Sequence, residues 1–181
     1  MTKETADDRL SADELLDIVD EMDQVTGQLR RAEVYARGLR HRCVFVLARD
    51  PGGRIFVHRR TAGKLVFPSM YDMFVGGVVG AGESYELAAL REAEEELGVA
   101  GLPAPRELFP FRYETPEVRE WARVYEVALP SDAVAPQAEE VDWWTFLTPE
   151  ELAARLGQWD WVPDGLAAYE ELRALGKGRP A

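Results

Sequence analysis

Between Gly77 and Val99 the chain reads Gly-x5-Glu-x7-Arg-Glu-x-x-Glu-Glu-x-Gly-Val, spelled GVVGAGESYELAALREAEEELGV. Fixed identities at this spacing meet by chance with a frequency on the order of 10⁻⁵ in a chain of this size, so the run constrains the fold more than any other. Successive helical residues advance by about 100°, which sets Glu95 and Glu96 on either side of Glu92, one turn further on. Three carboxylates therefore share one face. Leu87, Leu90 and Leu97 are expected on the opposite face, buried in a core, while the carboxylates point outward and the small Ala88 and Ala89 leave room beside them. Glu83 with Ser84 marks the helix start, where acidic and hydroxyl groups satisfy free N–H groups. Gly98 suits a left-handed cap at the end. Arg91, four residues before Glu95, is placed to orient that carboxylate. Glu94 falls near the leucine face and receives no role.

A glutamate run alone reads as a solvated helix face; the glycines and Arg91 at fixed offsets make it a metal site. Hard oxygen ligands select Mg²⁺, with Mn²⁺ as a substitute. Such a cation neutralises bridging phosphates and lowers the pKa of a bound water.

The stretch resembles the signature box of the Nudix hydrolases, with Ala93 where a larger aliphatic residue is usual. The resemblance implies an α+β fold, an α/β/α sandwich with a central mixed sheet and a loop-helix-loop metal site. It implies cleavage of a diphosphate joined to another group. It makes Glu92, Glu95 and Glu96 the metal ligands, adds the carbonyl of Gly76, and gives Gly77, Glu83, Arg91 and Gly98 structural parts. The general base of such enzymes lies in the box helix (Glu92, Glu95) or on a distant loop, here Glu139 or Glu140. Glu139 and Glu140 read equally well as ordinary loop acids.

Outside the box, Val25-Thr26-Gly27, Gly38-Leu39-x-His41-Arg42, Arg59-Arg60 and Phe67-Pro68 are similar to the isopentenyl-diphosphate-isomerase-like branch of the superfamily. With the box, the similarity covers most of residues 15 to 150. The isomerase needs a Cys-x-His arrangement around the glycine before the box, where this chain has Gly76-Gly77-Val78. With only His41 and His58 a multi-histidine site is not expected, and hydrolysis is the expected reaction. A non-catalytic nucleotide sensor is the third class; relatives of that kind usually lose acidic positions, and none is lost here.

Substrate phosphates call for cations, and Arg59, Arg60 and Lys64 stand upstream of the site loop. Strand alternation turns only one of Arg59 and Arg60 inward. Trp121, Tyr125, Trp143 and Trp144 read first as core aromatics and second as a stacking surface for a base.

The 181 residues suit a single domain: a flexible lead over 1–12, an N-terminal hairpin and short helix over 13–40, a core over 41–150 and C-terminal helices over 150–181. CVFVLARD and RIFVHRR read as strands joined at Asp50-Pro51-Gly52-Gly53, and Thr148-Pro149-Glu150-Glu151 as a capped helix start. A net charge of −12 and a pI near 4.7 argue against duplex nucleic acid and anionic membranes. MTKETADDRL is no secretory signal and no apolar run approaches a bilayer span, so a cytoplasmic location is expected, with a small-molecule diphosphate as partner. The early hairpin offers an edge for pairing across a homodimer. Cys43, the one cysteine, shares a strand face with His41 and reads as a buried structural residue.

Overall fold

Runs rich in β-branched and aromatic residues alternate with two clear helix signals, and the computed structural model, which describes residues 12–64 and 66–176, builds its elements on them. The lead up to residue 11 and the last five residues lie outside the described part. In chain order the elements are β1 (Leu15–Val19), β2 (Val25–Arg30), α1 (Arg31–Ala36), β3 (His41–Arg49), β4 (Ile55–Arg60), β5 (Tyr71–Asp72), β6 (Val75–Val78), α2 (Tyr85–Leu97), β7 (Arg106–Glu114), β8 (Arg119–Ala128), β9 (Val141–Leu147), α3 (Pro149–Arg155) and α4 (Pro163–Ala174).

β1 and β2 form the expected hairpin. Its turn closes on Asp20 Oδ1, which accepts from the N–H groups of Met22 at 2.8 Å and Gln24 at 2.9 Å. The remaining strands make a mixed sheet in the order β5-β4-β3-β8-β7, with β6 added to β3 and β9 to β4. β3 and β8 run parallel from His41↔Glu120 to Arg49↔Ala128. The turn at Asp50 forms as expected, its carboxylate accepting from the Arg54 N–H at 2.8 Å. The strands it joins then part: β3 and β4 pair only at Arg49↔Ile55, because β6 and β9 take their free edges.

The two faces of β3 define the layers. Val44, Val46 and Ala48 pack under α2 with Ala88, Ala89, Ala93 and Leu97. Cys43 and Leu47 face the other way, into a cluster with Val34 of α1, Leu152 of α3 and Ala168 and Leu172 of α4. The result is the α/β/α sandwich. α3 starts on a complete capping box, with Thr148 and Glu151 each bonding the other's backbone N–H.

The buried face of α2 keeps Leu97, and part of Leu90, as the leucine spacing predicts, but turns Leu87 out. Leu87 is 63% exposed, whereas Ala88, Ala89 and Glu96 are buried. Alanines let the helix axis approach the sheet more closely than leucines would, so the helix carries Glu92 and Glu96 inward, not outward.

His58 of β4 is buried against Phe56, with ring centroids 5.7 Å apart, and its Nδ1 has no hydrogen-bond partner. Burial, with Arg60 and Lys64 nearby, holds the imidazole down at about 3. Its folded pKa lies below the unfolded value of 6.5, so its contribution to stability is complete above 6.5 and is lost as pH falls toward 3. We expect the wild type to lose stability below pH 6.5 relative to His58→Phe by up to about 1.4 kcal/mol per pH unit, measured by urea unfolding. A difference that does not change with pH would contradict this.

Candidate active site

Two adjacent glycines make the centre of the site. In β6, Gly76 lies opposite Phe45 and Gly77 opposite Val44. Gly76 has φ +154°, and a Cβ there would fall 2.0 Å from the Val44 carbonyl oxygen. A Cβ on Gly77 would come within 2.9 Å of both carboxylate oxygens of Glu92. A side chain at Gly76 would displace the neighbouring strand, and one at Gly77 would push the Glu92 carboxylate aside. The helix above is fixed at both ends as expected: Ser84 Oγ accepts from the Leu87 N–H at 3.3 Å, and Gly98, at φ +62°, forms the left-handed cap.

Glu83 does not act as a helix-start acceptor. Its Oε2 accepts from the Gly80 N–H at 3.0 Å, and its two oxygens take the fork of Arg91 at 3.0 and 2.9 Å. Arg91 reaches further than the single pairing expected of it. Nη1 lies 2.6 Å from Glu92 Oε1 and 3.5 Å from Glu95 Oε2. The hydrogen bonds to Glu83, then the charge of Glu92, hold its guanidinium firmly protonated.

The three box carboxylates occupy different settings. The Glu92 side chain is 13% exposed, and burial pushes its carboxyl up to about 7 against the pull of Arg91. Glu96 is buried, and its Oε2 accepts from the Gly76 N–H at 3.3 Å. Burial, followed by the charge of Glu92, pushes it up to about 8; Lys64 and Arg60 pull it back and Glu140 pushes it further. Glu95 stands at the rim, its side chain 55% exposed. Among the described residues, the one trio of His, Cys, Asp or Glu ligand atoms that all lie within 4.8 Å of one another is His41, Cys43 and Glu120, on the other face of the sheet. Glu92 and Glu95 are instead spread around Arg91, as expected of like charges held by one monovalent cation, while Glu96 turns to the Gly76 N–H.

Of the two strand arginines, Arg60 turns toward the site. Its Nε and Nη2 donate to the Val66 carbonyl at 3.2 and 3.0 Å. Arg59 points away, its Nε 2.8 Å from Asp142 Oδ1 and its guanidinium over the Tyr71 ring. Lys64 Nζ is 2.5 Å from Glu140 Oε2. Glu139 is exposed and offers its carbonyl to the Thr61 hydroxyl at 2.9 Å. The loop acid in the field of Glu96 is thus Glu140. Tyr125 is core; Trp143 and Trp144 are partly exposed, packed on Tyr71 and Phe56.

One feature has no marker in the sequence pattern. Glu94 accepts from the N–H groups of Gly101 at 2.6 Å and Leu102 at 2.9 Å, tying down the loop after the helix. His58, two residues before Arg60 on β4, shares its face by strand alternation and so enters the field of Arg60 and Lys64.

Residues 39–166 match the NUDIX domain family. The chain is a Nudix hydrolase. It is 68% identical over 165 residues to an uncharacterized Nudix hydrolase of Streptomyces coelicolor, covering 91% of each chain. It is 40% identical to the uncharacterized Nudix hydrolase YfcD of Escherichia coli, covering 88% of this chain and 87% of that one. Among solved structures it is similar to DR0079 from Deinococcus radiodurans, with a TM-score of 0.73 and 32% identity over 87% of this chain and 98% of that one. A MutT protein from Methanosarcina mazei, at 21% identity and a TM-score of 0.63, shares the fold over 76% of this chain and 96% of that one.

Nudix hydrolases generally use a divalent metal, and this donor set fits one: two carboxylates, Glu92 and Glu96, are buried beside the Gly76-Gly77 backbone, and Arg91 pairs with only the first of them. No helix among the described residues is long and apolar enough to cross a membrane. We expect Gly77→Ala to push Glu92 off its position and weaken Mn²⁺ binding at least about tenfold, measured by calorimetric titration. Unchanged affinity would contradict the close approach.

Proposed function

We propose that this hydrolase uses Mg²⁺, with Mn²⁺ as a substitute, to split the diphosphate linkage of a nucleoside diphosphate derivative or similar organic diphosphate. The observation that carries the reading is the burial of Glu92 and Glu96 beside Gly76-Gly77, within the field of Arg60, Lys64 and Glu140. Glu92, Glu95, Glu96 and the Gly76 carbonyl would hold the ion. When bound it supplies charge neutralisation and an acidified water. Arg60 and Lys64 meet phosphate oxygens; Arg59, committed to Asp142 across the sheet, stabilises the strand pair. Lys64 leaves Glu140 when a phosphate offers it a stronger partner, and the freed carboxylate accepts the proton of the attacking water. Glu92 and Glu95 are the alternative bases. Gly76-Gly77-Val78 offers none of the thiol and imidazole groups that double-bond isomerisation requires. The exposed β2 edge of the hairpin is the proposed contact of a homodimer.

Purified protein with Mg²⁺ and a panel of nucleoside di- and triphosphates, nucleotide sugars, coenzyme A esters and prenyl diphosphates should release phosphate or a monophosphate. Chelation should abolish this. We expect Glu96→Gln to lower kcat/KM by more than about 100-fold, and Glu140→Gln to lower kcat by about 100-fold or more with little change in KM. Double-bond migration without phosphate release would establish an isomerase instead. Protection against heat by a nucleotide that is never turned over would establish a sensor.

A further inference from the structure

On the sheet face opposite α2, the parallel register sets His41 beside Glu120 and Cys43 beside Ala122. The two-residue repeat of a strand turns His41 and Cys43 to that same face. His41, Cys43 and Glu120 are 3%, 6% and 3% exposed. A ring nitrogen of His41, Sγ of Cys43 and a carboxylate oxygen of Glu120 all lie within 4.8 Å of one another. This trio spans two adjacent strands, with small Ala122 leaving space next to the thiol.

The remaining contacts set the state of the donors. His41 Nδ1 is 3.1 Å from the Leu39 carbonyl oxygen. A carbonyl can only accept, so Nδ1 carries the proton and the free lone pair sits on Nε2, the usual preparation of a ligating imidazole. Glu120 Oε1 is buried with no hydrogen-bond partner, a costly arrangement in an apolar interior. Asp164, in the first turn of α4, is buried and close enough to share a hydrogen bond with Glu120. Its Oδ1 accepts from the Gly165 N–H at 2.9 Å, and Asp164 stands beside Glu120, outside the trio that lies within 4.8 Å.

We propose that His41, Cys43, Glu120 and Asp164 form a second metal site, separate from the box, that takes a single Zn²⁺. Thiolate and imidazole donors select a borderline-soft cation, whereas the all-oxygen box selects Mg²⁺. Donors of a tetrahedral Zn²⁺ stand roughly 3.5 Å apart, so the trio has to contract by little more than about an ångström at most, and Asp164 has to swing in as the fourth donor, both by side-chain rotation. On binding, the thiol proton of Cys43 and the proton held between Glu120 and Asp164 leave to solvent, and their lone pairs pass to the cation. No electron moves. The ion staples β3, β8 and α4 together beneath the sheet, while the catalytic carboxylates stand above it.

The rival account is a proton-sharing polar cluster without metal affinity. The full chain, stripped by chelation and titrated with Co²⁺ as an optical stand-in, separates the two. We expect thiolate-to-cobalt charge-transfer absorption that saturates at one equivalent, persists in excess Mg²⁺ and disappears on adding Zn²⁺. Glu120→Gln should weaken Co²⁺ binding at least about tenfold, Cys43→Ser should remove the band, and the double change Glu92→Gln with Glu96→Gln should leave it in place. A wild-type protein without the band overturns the proposal, and since that readout needs no variant, misfolding of Cys43→Ser does not shield it. So does Zn²⁺ that survives gel filtration with wild type but is lost only from the box variant.

Discussion

The close approach of α2 to the Gly76-Gly77 backbone is the constraint on which the rest of the molecule depends. A Cβ on either glycine would collide, with the Val44 carbonyl in one case and the Glu92 carboxylate in the other. The helix answers with Ala88, Ala89 and Ala93 on its inner face. Two carboxylates are thereby brought down onto a strand, where burial pushes both toward neutral pH. Such an arrangement is unfavourable for a metal-free fold and suited to a divalent cation, which offsets the repulsion and the desolvation together.

Arg91 makes the arrangement tolerable in the meantime. Its guanidinium joins Glu83 of the preceding loop to Glu92 and Glu95 of the helix. One planar group thus orders the loop and shields the box carboxylates, a combination lysine's single point of charge does not reproduce. The same logic holds at the rim, where Lys64 and Glu140 neutralise each other. In both places a chain of strongly acidic composition sets a basic side chain against the acid that its ligands require.

Legibility in the sequence followed the range of the interactions. The hairpin, the Asp50 turn, the Ser84 and Gly98 caps and the Thr148–Glu151 box are decided within a few residues, and all were readable. The phase of α2 was readable only in part: Leu97 is buried as its spacing says, but whether Leu87 or the alanines face inward depends on how near the sheet lies. Alternation could say that one of Arg59 and Arg60 points inward, but choosing Arg60 needs the face on which α2 sits. The shared face of His41 and Cys43 was visible; Glu120 and Asp164 were not, because parallel pairing and helix docking join them to β3 from far along the chain.

Diffraction from crystals soaked in Mn²⁺, with the ion located by its anomalous scattering, tests the central claim most directly. The account predicts an ion beside Gly76, bound by Glu92 and Glu96, with Glu92 turned away from Arg91 and Glu95 drawn in from the rim. An ion located elsewhere, or a box in which Glu92 stays on Arg91 at saturating Mn²⁺, would contradict it.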